Sequence, residues 1–185
     1  MKTVWLKGDY VGTHDRQRQA KDAGCSCVID FHFNSFTGGS AFGGECFYKS
    51  GCARSKELGG AVLQAFTDSG LPLRRQDTLQ PAHGTAAAFI DYYHCPAILL
   101  EPLFLSTQKQ AEWLHDEANA TRLAESVAQR LRALLGKDEV VGLSVGHRYK
   151  TSVRDEGAPC VEGDSEADHA QSMAERVEAA LLRQR

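Results

Sequence analysis

The sequence predicts a three-layer α/β fold, a mixed β-sheet flanked by helices, and three observations point to it. Short strand-like and longer helix-like segments alternate along the whole 185-residue length. The strand candidates are rich in Val, Ile, Leu or aromatic residues and bounded by Gly, Pro or charge. Three of them run into His32, Glu101 or Gly146-His147, the strand-end position where an open α/β sheet usually carries its chemistry.

Taken in order, strands are expected over 3–6, 27–33, 45–48, 97–101 and 140–145, each a brief apolar run closed by a breaker or a charge. Helices are expected over 14–23, 53–69, 107–117, 119–135 and 165–184. In the fourth helix Leu123, Val127, Leu131 and Leu134 recur at helical spacing, and Gly136 stops it. In the last, Asp164-Ser165 supplies the cap, and Ala170, Met173, Ala174, Val177 and Leu181 form the buried stripe. The glycine-rich stretch 37–44 reads as a mobile loop after the His32 strand. The polar stretch 71–88, with His83-Gly84-Thr85, is expected beside the site. With no repeat, low-complexity tract or linker, residues 1–185 read as a single domain, long enough to bury roughly two thirds of its unfolded surface.

Charged residues make up 24% of the chain and the net charge is −3, so there is no basic footprint for a nucleic-acid partner. No apolar stretch reaches the roughly 18 residues of a membrane span, and MKTVWLKGDY has no continuous apolar core of a Sec signal peptide. The expectation is synthesis in the cytoplasm. The six cysteines, at 25, 27, 46, 52, 95 and 160, read as reduced in that setting. Cys25 and Cys27 are expected on one face of their strand, and the absence of a C-x-x-C pair gives a structural cysteine zinc site little support.

A catalytic zinc takes three protein ligands and keeps one position open, and two histidines with one carboxylate are a common hydrolase set. A second, non-ligating carboxylate then takes the proton of the attacking water and passes it to the leaving amine. His32, His147 and Glu166 are candidate ligands and Glu101 the candidate general base, although no two of them share a local metal motif.

These segments resemble those of zinc-dependent N-acetylmuramoyl-L-alanine amidases, peptidoglycan-cleaving enzymes of cell separation, sporulation and phage lysis. The family's Gly-His strand end, Asp-x-Gly-Ala turn and helix-opening Glu are matched by Gly146-His147, Asp155-Glu156-Gly157-Ala158 and Glu166. Its Asp-containing loop and Arg/Ala helix are matched by Asp9, Arg16 and Ala20. Its Ser-Ile-His-Ala-Asn-Ser strand is matched by Asp30-Phe31-His32-Phe33-Asn34-Ser35. Gly44-Glu45-Cys46-Phe47-Tyr48 and the run from Pro96 to Thr107 match the remaining two motifs. The matches come in rotated order: reading 138–185 and then 1–137 restores the family's sequence of elements. The chain therefore resembles a circular permutant, a change that is mild when the joined termini lie close together at the surface.

The resemblance implies the amidase fold, one Zn2+ per chain on His32, His147 and Glu166, and Glu101 as catalytic acid/base. It implies peptidoglycan as partner and hydrolysis of the amide between N-acetylmuramic acid and L-alanine. Asn34 and His83 are the candidate substrate-side residues. A monomeric phage or prophage endolysin, released to the wall through a holin, is the expected setting.

Three departures stand out. Arg148-Tyr149 replace two glycines, so the turn is expected to change; Asp30 replaces a small polar residue and is in phase to orient His32; Leu103 and Thr107 replace Gly and Asn. Other readings stay open. His147 also fits a turn histidine bonded to backbone, Glu166 a helix-opening charge, and Glu101 a buried ion pair. His169 is open to two readings, substitute ligand or surface histidine; His94 reads as packing or capping, and His14 and His115 have no evident partner. Beyond the amidase, a zinc peptidase cutting within the stem peptide and a catalytically silent muropeptide-binding module are the competing functions.

Overall fold

The computed structural model describes residues 1–9, 14–38, 40–74 and 78–183. Along the chain come β1 (Lys2–Leu6), α1 (Asp15–Asp22), β2 (Cys27–Phe31), β3 (Glu45–Tyr48), α2 (Ala53–Asp68) and β4 (Leu79–Pro81). They are followed by α3 (Gly84–Ile90), β5 (Ala97–Glu101), α4 (Gln108–His115), α5 (Glu117–Leu134), β6 (Val140–Val145) and α6 (Glu166–Leu182). The strands form one sheet in the order β1-β6-β2-β5-β3-β4. The first four are mutually parallel; β3 runs antiparallel to β5 and parallel to β4. The expected mixed sheet between helical layers is present.

Strand alternation sorts the core into two layers. Ile29 and Phe31 of β2, Ile98 and Leu100 of β5, and Val141, Leu143 and Val145 of β6 pack with residues of α2, α4, α5 and α6. The alternate residues Val28, Ala97 and Leu99 pack with Ala20 of α1 and Ile90 of α3. A fully buried Val, Leu or Ile contributes roughly 1.5–3 kcal/mol. Strands covered on both faces therefore read as largely apolar runs, interrupted here by buried Asp30 in β2 and Ser144 in β6, which is why the central strands were visible in the sequence.

Element ends follow their caps. Asp116 accepts from the N–H groups of Ala118 and Asn119, starting α5 before the predicted 119. Ser165 and Asp168 form a reciprocal capping box that fixes the start of α6. The predicted strand 27–33 ends at Phe31, although His32 and Asn34 still donate backbone bonds to Leu100 and Leu103. Cys25 and Cys27 do not share a face: Cys25 precedes the strand and packs with the α1/α3 layer, Cys27 with the opposite one. The polar stretch 71–88 contains the short strand β4 and most of helix α3, which its composition did not announce. Position 39 of the glycine-rich loop, 75–77 of the polar stretch and 184 of the last predicted helix lie outside the described residues.

Candidate active site

β6, β2 and β5 lie side by side in the sheet and end together. Gly146 N–H donates to Phe31 O at 2.8 Å and His32 N–H to Leu100 O at 3.0 Å. The sheet thereby sets His32 and Glu101 at one edge, with His147 just beyond the end of β6. Glu166 arrives from the first turn of α6, where its own N–H donates to Ala158 O at 2.9 Å.

Three of the four predicted residues converge. Glu166 Oε1 stands 3.1 Å from His32 Nδ1 and 3.2 Å from His147 Nε2, and one donor atom from each residue lies within 4.8 Å of the other two. His32 and Glu166 are buried. Glu166 Oε2 accepts from Ala158 N–H at 3.1 Å, and Oε1 from Phe33 N–H at 3.4 Å. Two glycines make room for this packing. A β-carbon on Gly146 would fall 2.4 Å from His32 Cε1; one on Gly157, whose φ is +69°, would fall 2.7 Å from both Glu166 Oε2 and His147 Cδ2. Nothing larger than glycine fits at either position without moving the cluster.

The set fits a divalent cation on chemical grounds. Two imidazoles and a carboxylate are borderline-hard ligands of the kind zinc takes, and each imidazole has a further carboxylate behind it. Asp155 Oδ2 lies 2.9 Å from His147 Nδ1, an ion-pair approach out of line for a hydrogen bond. Asp30 Oδ1 lies 3.7 Å from His32 Nε2, an ion-pair distance, and Nε2 has no hydrogen-bond partner. Burial disfavours a charged His32, but Asp30 and Glu166 together push its pKa up to about 10. Burial likewise opposes protonation of His147, yet Glu166 and Asp155 raise it. For Glu166, burial is outweighed by the two histidines, which hold it at about 2. The pocket is therefore built to hold positive charge, and protons and a metal ion compete for it.

Glu101 stands apart from the three. Burial raises its carboxyl to about 7; His32 pulls it down, while Glu45 and Glu166 push it up. Antiparallel pairing sets Glu45 directly opposite Glu101. The Glu45 carboxylate accepts from Asn34 Nδ2 and, at 2.7 Å, from Arg74 Nη1. Asn34 is thus engaged with Glu45. His83 is not among the residues brought together: exposed at the start of α3, it packs edge-on to Phe47 and sits 3.4 Å from Gln80.

The sequence reading assigned no role to several residues that shape the site. Phe89 of α3 stacks on His32, with ring centroids 5.3 Å apart. Buried Arg16 clamps the segment before and after His147. It donates to Ser144 Oγ at 2.8 Å, to Val145 O at 2.7 Å and to Arg148 O. That clamp holds His147 and Tyr149 at φ of 63° and 64°, left-handed conformations that cost roughly 1–3 kcal/mol for such residues. Tyr149 stands at the second position where the resembling family has glycine. The motif around Asp155 was visible in the sequence, but its contact with His147 was not.

Residues 5–133 match the protein family described as N-acetylmuramoyl-L-alanine amidase. The chain belongs to that family. Solved amidase structures share its fold. Ami1 from Mycobacterium smegmatis aligns with a TM-score of 0.58 and 15% identity, over 66% of this chain and 60% of its own. The catalytic domain of CwlV from Bacillus (Paenibacillus) polymyxa var. colistinus gives 0.57 and 22%, over 66% and 65%. An amidase from Clostridium difficile 630 gives 0.58 and 23%, over 69% and 67%. The chain thus spans less than two thirds of the length of the first two. Comparison with curated proteins finds no match. His32 and Glu101 lie inside the span that matches the amidase family, whereas His147 and Glu166 lie beyond it, on or beside β6 and α6.

Proposed function

We propose that this amidase-family chain hydrolyses the amide between N-acetylmuramic acid and L-alanine in peptidoglycan, with zinc held by His32, His147 and Glu166. The observation that carries the reading is the convergence of the two histidines on one carboxylate oxygen of Glu166, at the end of the sheet where β5 closes on Glu101. Bound there, zinc supplies Lewis acidity, polarising the carbonyl and lowering the pKa of a water to about 7. Glu101, its carboxyl near neutrality, takes one proton from the attacking water and delivers it to the alanine nitrogen as the carbon–nitrogen bond breaks. The products are a lactyl carboxylate on the glycan and a free peptide amine. Asp155 keeps His147 in place, and Gly146 lets His32 pack against the end of β6. A groove of about 350 Å³ along 35–38, Ser106 and 159–161, bordered by half-exposed Phe36 and Val161, offers a surface for the substrate.

The domain is proposed to be circularly permuted. Reading from 138 to 185 and on from 1 to 137 gives β6-α6-β1-α1-β2 and onward, the family's order of motifs. Met1, Leu181, Leu182 and Arg183 line one groove with Leu135 and Lys137. Exchanging which of these neighbouring ends are joined therefore demands little rearrangement. For the biological setting we propose phage or prophage lysis, because freeing stem peptides from glycan uncouples the wall's cross-links.

Mass spectrometry of peptidoglycan digested with and without a chelator tests the reaction. Free stem peptides beginning at L-alanine, absent with chelator, are expected. Cuts within the stem would make it a peptidase, and intact muropeptides a binding module.

A further inference from the structure

A second cluster of metal-ligating side chains lies one turn further along α6. His169, three residues after Glu166, meets His115 from the end of α4, with ring centroids 5.2 Å apart. Cys160 completes the group: its Sγ and one ring nitrogen from each histidine all lie within 4.8 Å of one another. Cys160 and Asp164 sit on one tight loop, closed by the Pro159–Ser165 bridge and by Cys160 N–H donating to Asp164 O at 2.7 Å. Asp164 Oδ2 stands 3.4 Å from His115 Nε2 and 3.7 Å from His169 Nε2.

We propose that Cys160, His115 and His169, with the Asp164 carboxylate as fourth donor, bind a second zinc ion that serves structure. Four protein donors, one of them sulfur, make the closed set of structural zinc sites, in contrast to the three-ligand set on His32, His147 and Glu166. Zn–N and Zn–S lengths of about 2.0 and 2.3 Å demand only a small contraction of the existing cluster. His169 Nε2 is buried without a hydrogen-bond partner, a group that calls for a ligand. Burial and neighbouring His115 also favour its neutral, ligating form. Metal entry displaces the Cys160 thiol proton to solvent and leaves the thiolate on the ion. The ion would tie α4 and the 159–165 loop to the first turn of α6, the turn that presents Glu166. Sequence inspection finds no such site, because its three main donors lie on separate segments without C-x-x-C or H-x-x-H spacing.

Cobalt separates the two sites, since the triad contains no sulfur. Full-length protein stripped of metal and titrated with Co2+ is expected to develop a thiolate-to-cobalt charge-transfer band. The band should persist in His32→Ala, vanish in Cys160→Ser and weaken at least tenfold in His115→Ala at limiting cobalt. His115 is partly exposed, so its replacement leaves the fold in place. Zinc content should fall by one ion per chain in each of the last two variants. Absence of the band from the wild-type protein, its persistence in Cys160→Ser, or its indifference to His115→Ala each overturns the site. Loss of metal in His32→Ala alone concerns the active site and leaves this inference standing.

Discussion

Glu45 lies directly opposite Glu101 across the antiparallel β3–β5 pair, so two carboxylates face each other at the rim of the candidate site. Side chains so paired stand about 5 Å apart at their β-carbons. Arg74 and Asn34 bind Glu45, and its charge helps Glu101 keep a proton near neutral pH, after burial itself. Glu101→Gln should lower turnover by about 10²–10⁴ while zinc content is unchanged. Glu45→Gln should instead move the acid limb of the rate profile to lower pH, because the repulsion is gone. An unmoved limb would separate Glu45 from the acid/base step.

The same raised carboxyl has a stability consequence. The folded pKa of about 7 lies above the ordinary glutamate value of 4.5, so folding favours the protonated form. Stability is lost as pH rises between those values. In metal-free protein, Glu101→Gln should therefore stabilise at pH 8, by on the order of 2–3 kcal/mol, and make little difference at pH 4. Denaturant unfolding at the two pH values measures this. Equal effects at both would mean that Glu101 is not desolvated.

Gly146 has an ordinary backbone conformation, so an added methyl acts through space alone. It would meet the His32 ring at 2.4 Å. Gly146→Ala is expected to cost about 1–3 kcal/mol as overpacking and to weaken zinc binding by at least about tenfold, as displaced ligands do. Zinc affinity at wild-type strength in a folded Gly146→Ala protein would show that His32 does not ligate.

Reversing the proposed permutation tests the order of the chain. A protein that starts at 138, passes from 185 through a short flexible linker to Met1 and ends at 137 should fold and hydrolyse peptidoglycan with kcat/KM within about tenfold of the original. Failure of that chain to fold would argue against the rotated reading.

Much of the site was legible because an apolar strand that stops at an ionisable residue is conspicuous. His32, Glu101 and His147 each follow such a run, and Glu166 follows a capping serine. What escaped was long-range or short. β4 has three residues and α3 seven, too few for periodicity to register. Phe89 over His32, Arg16 beneath Val145 and the His115–Cys160–His169 cluster depend on contacts between residues distant in sequence. His83 had the local look of a site residue; it opens α3 exposed, with its ring edge-on to Phe47.

The most direct test of the account removes the metal and returns it. Chelator-stripped protein should release no stem peptides, regain activity when zinc is added at neutral pH, and lose zinc and activity together in acid as protons occupy His32 and His147. His32→Ala, measured in parallel, should stay inactive at the same zinc concentration. Stem-peptide release by the stripped protein, or full recovery in His32→Ala, would contradict the account.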